Sequence, residues 1–166
     1  MTSNSQPDTM QSSSLPVPRQ PAIIRWSQIL ADSYRQALKR DLICTDTPEQ
    51  LSEALFHAPF VLVSHGTQAD PIFNYANQTA SQLWGLDWDE FIKTPSAQSA
   101  EPVAREERSI MLKQAREQGY IDNYQGIRVT TKGKRFLIQQ GIIWNLQDEK
   151  GDRCGQAATF SSWEWL

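Results

Sequence analysis

Ala58-Pro-Phe-Val-Leu-Val-Ser-His-Gly-Thr-Gln-Ala-Asp-Pro-Ile-Phe-Asn-Tyr-Ala-Asn-Gln-Thr-Ala-Ser-Gln-Leu-Trp84 reads as strand, tight turn, strand and capped helix. Pro59 stops what precedes it, and Phe60–Ser64 is an apolar run that ends in a polar corner. Phe60, Leu62 and Ser64 alternate with Val61, Val63 and His65, so apolar side chains point both ways and the strand is expected inside a sheet covered on both faces. Gly66 and the Asp70-Pro71 step bracket a turn, and Ile72–Tyr75 returns as a second strand. Asn77 then stands where a helix N-cap belongs, ahead of Ala80, Leu83 and Trp84 on one helical face.

Working toward the N-terminus, Thr47-Pro-Glu-Gln50 combines a capping residue, proline at the first helical position and glutamine at the third. It predicts a short helix running to about Phe56. Farther upstream, from Ala22 to about Leu42, the apolar residues Ile23, Trp26, Leu30, Tyr34, Ala37, Leu38 and Leu42 recur at intervals of three and four. Arg25, Gln28, Asp32, Arg35 and Lys39 take the other side, which describes an amphipathic helix. Burying four or five large side chains yields roughly 1.5–3 kcal/mol each, so the helix is expected to dock, on its own domain or as a homodimer contact through residues 22–42. Residues 1–21 carry Ser12-Ser13-Ser14, Pro7, Pro16, Pro18 and Pro21 with almost nothing apolar, the composition of a disordered tail, and one also compatible with a removable transit peptide.

Toward the C-terminus, Asp87-Trp-Asp-Glu90 repeats the cap pattern for a helix through Ile92, and a connector with Pro95 follows. Val103 to Gln118 is a charged helix with Gly119 at its C-cap position. Tyr120–Val129, Arg135–Leu146 and Cys154–Ser161 are rich in β-branched and aromatic residues and are parted by the turns at Thr131-Lys-Gly133 and Asp148–Asp152, which predicts consecutive antiparallel strands. Gln139 and Gln140 interrupt the middle one, as cross-strand partners or as cavity-lining amides.

The chain has 166 residues, 39% of them hydrophobic, which allows one domain with a real core plus tails. A net charge of −3 denies it the basic field of a nucleic-acid binder. Cys44 and Cys154 lack metal-ligand spacing, and with only two histidines in the chain a metal site is not expected. Unpaired thiols, no span-length apolar stretch and no secretory signal make a cytoplasmic location the expectation, without membrane contact.

Two strands, several short helices and three antiparallel strands follow the element order of a PAS-type α+β domain, a five-stranded antiparallel sheet curled around a cavity with helices between strands two and three. Ser64-His-Gly-Thr67, Asp70-Pro-Ile-Phe-Asn-Tyr75, Ala100-Glu-Pro-Val-Ala-Arg-Glu-Glu-Arg108 and Thr131-Lys-Gly-Lys-Arg-Phe136, with Ile29-Leu30 and Ser33-Tyr34 upstream, resemble the MEKHLA domain. That family is similar to PAS domains and occurs both as stand-alone bacterial proteins, notably in cyanobacteria, and at the C-terminus of plant homeodomain-leucine zipper regulators. The resemblance covers about residues 22–163 and is to the stand-alone form. Composition and periodicity divide the chain into a tail (1–21) and an amphipathic helix with linker (22–46), followed by a domain at 47–163 that is read as the PAS-like MEKHLA domain. The resemblance implies a sensory or interaction module that binds a small ligand or a protein partner, and it carries over no catalytic set.

The residues themselves offer ligand-binding candidates. His65 and Asp70 face each other across a turn and could pair, either to position a ligand or as acid and base in a small isomerase or hydrolase; the plainer role of His65 is to fix its turn. Asn74, Tyr75 and Asn77 gather where the second strand meets the helix, Asn77 doubling as a cap. Trp84 is a core residue that could border a cavity. Arg105, Arg128 and Gln140 could turn inward, the arginines toward an anion. The cofactor is left open: the helix at 103–118 has no histidine for haem, and residues 84–102 have no cysteine for covalent flavin chemistry, which disfavours both.

Overall fold

The computed structural model describes residues 15–99 and 105–166. Of the expected tail, residues 1–14 lie outside the described residues, but the remainder is packed. Val17–Arg19 forms a 3-10 turn with Pro18 buried, and Ser52 Oγ donates to the Pro18 carbonyl at 2.7 Å. The prolines that suggested disorder instead preset the backbone of this turn and of the helix that follows. Helix α1, Pro21–Leu38, has proline in its first turn and ends where Lys39 turns left-handed at φ 61°, short of the expected Leu42.

Helix α2, Pro48–Phe56, starts as predicted, with Thr47 Oγ1 accepting the Gln50 N–H. Strands β1, Val61–His65, and β2, Phe73–Ala76, form the hairpin. Asn77 caps α3, Gln78–Trp84, which Gly85 ends at φ 76°. Asp87 and Glu90 form a capping box around α4, Trp88–Phe91. A 3-10 turn at Ser96–Ser99 leads to α5, Arg105–Gln118. Strands β3, Tyr120–Val129, β4, Arg135–Gln147, and β5, Arg153–Phe160, follow. A further strand, β6, Ser162–Trp165, extends the expected five.

All pairings are antiparallel, in the order β2-β1-β5-β4-β3, with β6 also on β4. Because β5 takes Ile142–Gln147 of β4 and β6 takes Phe136–Gln139, the last two strands amount to one strand broken at Ser161. The break lies opposite the Gln140–Gly141 step, where Gln140 is left-handed at φ 55°.

Alternation along the strands splits the core into two. The inner face presents Val61, Val63, Phe73, Ile121, Tyr124, Phe136, Ile138 and Phe160 to Trp84, Phe91 and Ala115 of the central helices. The outer face presents Leu62, Tyr75, Trp144, Leu146 and Ala157 to Ile29, Leu30 and Tyr34 of α1 and to Leu51 and Leu55 of α2. Trp144 anchors this second layer: its indole N–H donates to the Leu30 carbonyl at 3.2 Å, and its ring meets Tyr34 edge-on at 4.9 Å. The apolar stripe of α1 is therefore used on the chain's own sheet, and past Pro21 and Ala22 the residues that α1 leaves exposed are polar: Arg25, Asp32, Arg35 and Gln36. Among the described residues no helix is long and apolar enough to cross a membrane.

Candidate functional site

The inner face of the sheet and the helices over it enclose a cavity of about 370 Å³. Val63 and His65 of β1, Phe73 of β2, Tyr124 and Arg128 of β3, Ile138 and Gly141 of β4, and Gln156, Ala158 and Phe160 of β5 form its floor. Trp84 of α3, Ser99, and Met111 and Ala115 of α5 form its roof. The space exists because small residues, Gly141, Ala158 and Ala115, stand where larger ones would close it. An apolar chamber of this size with a few convergent polar groups is the usual form of a small-molecule site.

Three of those polar groups are positioned by the fold. His65 Nδ1 donates to the Gly66 carbonyl at 2.8 Å, so the ring also pins the turn that follows β1. Gln156 Nε2 donates to Asn145 Oδ1 at 3.3 Å, and Asn145 Nδ2 donates to the Ala115 carbonyl of α5 at 2.9 Å. Arg128 Nη2 donates to the Tyr124 hydroxyl at 3.2 Å, with the guanidinium 5.8 Å from the centre of that ring. Among the described residues no carboxylate pairs with Arg128.

The structure brings His65, Trp84 and Arg128 to the cavity and places Asp70, Asn74, Tyr75, Asn77 and Gln140 away from it. Asp70 is exposed in the turn, and among the described hydrogen bonds and ion pairs none joins it to His65. Tyr75 points to the outer face. It pairs with Ser64, the bulge after Ser64 skips Asn74, and Phe73 takes the inward position opposite His65. The Tyr75 hydroxyl is buried without a partner among the described residues, and burial pushes its pKa up. Asn74 accepts from Ser64 Oγ at 2.5 Å, and Ser64 in turn accepts from Trp26 Nε1 of α1 at 3.0 Å, so Asn74 belongs to the outer layer.

Asn77 is fully buried and spends its whole amide on backbone. Oδ1 accepts from Leu62 N and Ala80 N, and Nδ2 donates to the carbonyls of Leu55 and Phe60. No capacity is left for a ligand. Trp84 packs edge-on against Phe91, Phe136 and Phe160, and its buried indole N–H has no partner among the described residues. Gln140 is pushed outward by its bulge and is exposed, while Gly141 takes the inward place. Arg105 opens α5, but its side chain lies outside the described residues.

Tyr124, Gln156 and Ala158 went unmarked in the sequence reading. Tyr124 and Arg128 share strand parity, with Gly126 between them, and that spacing was the available signal. Neither thiol lines the cavity: Cys44 is exposed, and Cys154 packs against the outer-face core, where burial pushes its thiol pKa up. The histidine on the cavity wall is His65 of β1, and α5 carries none.

The family match spans residues 24–165 and is to the MEKHLA domain. The chain belongs to the MEKHLA domain family. No curated protein matches this MEKHLA domain. Among solved structures it resembles the PAS domain of a protein from Colwellia psychrerythraea, with a TM-score of 0.59 and 16% identity over 69% of this chain and 94% of the other. It also resembles a light-oxygen-voltage domain studied with a flavin analogue, at TM-score 0.54 and 18% identity over 70% and 84% of the two chains. A third likeness is the dark structure of the blue-light photoreceptor Aureochrome1 LOV, at 0.51 and 19% over 74% and 88%. At these identities the likeness is one of fold, and it establishes the MEKHLA domain as a PAS-like α+β domain.

Proposed function

We propose that this MEKHLA domain is a cytoplasmic, non-enzymatic sensory module that receives a small molecule in its inner-face cavity and reports it to a protein partner. The observation that carries this reading is the cavity itself: about 370 Å³ of largely apolar chamber, with His65, Gln156 and Arg128 held on its wall. A domain with no use for the space would gain stability by filling it, at roughly 24 cal/mol for each Å³ of cavity closed. The outer layer offers the route outward. β1 carries His65 toward the cavity and its neighbour Ser64 toward Trp26 of α1, so a ligand that shifts β1 would bias the seat of α1. A partner, or a second copy meeting residues 22–42, would contact the polar side of that helix.

Native mass spectrometry and an absorption spectrum of protein purified without denaturant test the reading. A mass-shifted or coloured species is expected, and Ala158→Leu, which extends a side chain into the chamber, should lose it while keeping wild-type circular dichroism. A protein that arrives empty and takes up neither a charged nor a neutral naphthalene-sized probe at millimolar concentration would overturn the reading.

A further inference from the structure

We infer that the ligand is a small organic anion, a carboxylate on a planar apolar body, and that Arg128 holds its charge; the inference rests on the ligand-binding reading above. Tyr124, Gly126 and Arg128 alternate along β3 and so share its inner face. Arg128 stands opposite Phe136 in register, and Phe136 meets the Trp84 ring at 5.3 Å, which sets the guanidinium at the aromatic end of the chamber. Its described hydrogen bond, to the Tyr124 hydroxyl, leaves most of its five N–H donors unused. A half-buried guanidinium with no carboxylate paired to it among the described residues favours an anion, and its planar fork suits a carboxylate better than any point acceptor.

The setting of Arg128 is built. Tyr124 is 6% exposed, and its ring lies along the strand to reach the guanidinium. Two absent side chains permit that: a Cβ on Gly126 would collide with the Tyr124 hydroxyl, and one on Gly141 would stand 3.3 Å from Tyr124 Cδ2. Gly141 is also the cross-strand partner of Tyr124, and left-handed residues, Asn123 at φ 52° and Gln140 at φ 55°, flank the pair. Such backbone costs free energy, and here it surrounds the one aromatic that steadies Arg128. A merely solvated arginine at a strand end would need none of this.

Isothermal titration of the full chain with 2-naphthoate and with 2-naphthalenemethanol, the same ring system without the charge, separates the cases. The acid should bind at least about tenfold tighter than the alcohol, the loss expected when one charge-assisted contact is missing. This preference is read first on the unaltered chain, so it does not depend on a variant folding. Arg128→Gln should erase the preference by weakening the acid alone, Arg128→Lys should keep part of it, and Tyr124→Phe should weaken the acid by a smaller factor. Equal affinity for the two probes, or a preference for the alcohol, would overturn the anion assignment and leave the cavity reading standing. An acid preference that survives Arg128→Gln would remove Arg128 from the site. Uptake of neither probe would overturn the cavity reading itself.

Discussion

Replacing Asn77 by alanine should be among the most damaging single changes in this domain. Its carboxamide oxygen accepts from Leu62 N and Ala80 N, both at 3.1 Å, and its nitrogen donates to Leu55 O at 3.0 Å and Phe60 O at 2.8 Å. One side chain thereby ties the end of α2, the start of β1 and the first turn of α3. Asn77→Ala takes a partner from two buried N–H groups, Leu62 and Ala80, and from the Leu55 and Phe60 carbonyls. At about 1 kcal/mol net per bond, the loss comes to about 4 kcal/mol, and the missing N-cap by itself accounts for about 1 kcal/mol of that.

Set against a usual total stability of roughly 5–15 kcal/mol, such a loss should be plain in urea unfolding followed by tryptophan fluorescence. Asn77→Asp sharpens the test. The aspartate keeps the oxygen that faces two N–H groups but turns a second oxygen toward two carbonyls, so in the folded state its pKa is raised. A raised folded pKa means that stability is fully present below the free aspartate value of about 3.9 and is lost as pH rises through the folded value, by up to about 1.4 kcal/mol per pH unit. The gap to the wild type should therefore widen between about pH 4.5 and about pH 7.5. A cost below about 1 kcal/mol for the alanine, or a flat pH profile for the aspartate, would refute this account of the knot.

Three further outcomes follow from the packing. Leu30→Ala, at a fully buried position of α1, should cost about 2–5 kcal/mol in the same urea experiment, as expected if α1 is part of the domain's core. Tyr75→Phe removes a buried hydroxyl that has no partner among the described residues and should be neutral or stabilising by about 1–2 kcal/mol. Because burial raises the Tyr75 pKa, its part in stability is present through neutral pH and lost as pH climbs past the ordinary tyrosine range, and an alkaline unfolding series should show that loss in the wild type and not in the phenylalanine variant. Gln140→Gly relieves an exposed residue held at φ 55° and should raise the thermal midpoint slightly, the relief of about 1–2 kcal/mol being partly offset by unfolded-state entropy.

Local chemistry was enough to place most of the elements. The caps at Thr47, Asn77 and Asp87, the stop at Gly119 and the three-and-four spacing from Ile23 to Tyr34 each act over one or two turns of chain, and each produced the helix end or helix face it announced. The family resemblance carried by residues such as Ser64-His-Gly-Thr67 likewise required no contact map, and the family match and the PAS-like fold agree with it.

Direction was harder to read than element type. A strand alternates with a period of two only until a bulge adds a residue, and every side chain beyond it then changes face. The bulge after Ser64 sends Tyr75 outward and Phe73 inward, and the one at Gln140 expels the amide and brings Gly141 to the cavity. Partnership was equally out of reach of local pattern. The stripe of α1 was legible, but that it would close on Trp144, with an indole bond to Leu30, depends on residues 114 positions apart. The sequence alone settled most of the helices, the first five strands and the family. Only the tertiary structure decided which faces meet and that Arg128, steadied by Tyr124, stands at the cavity, because strand parity and cross-chain packing are set by the whole sheet and by no single stretch of it.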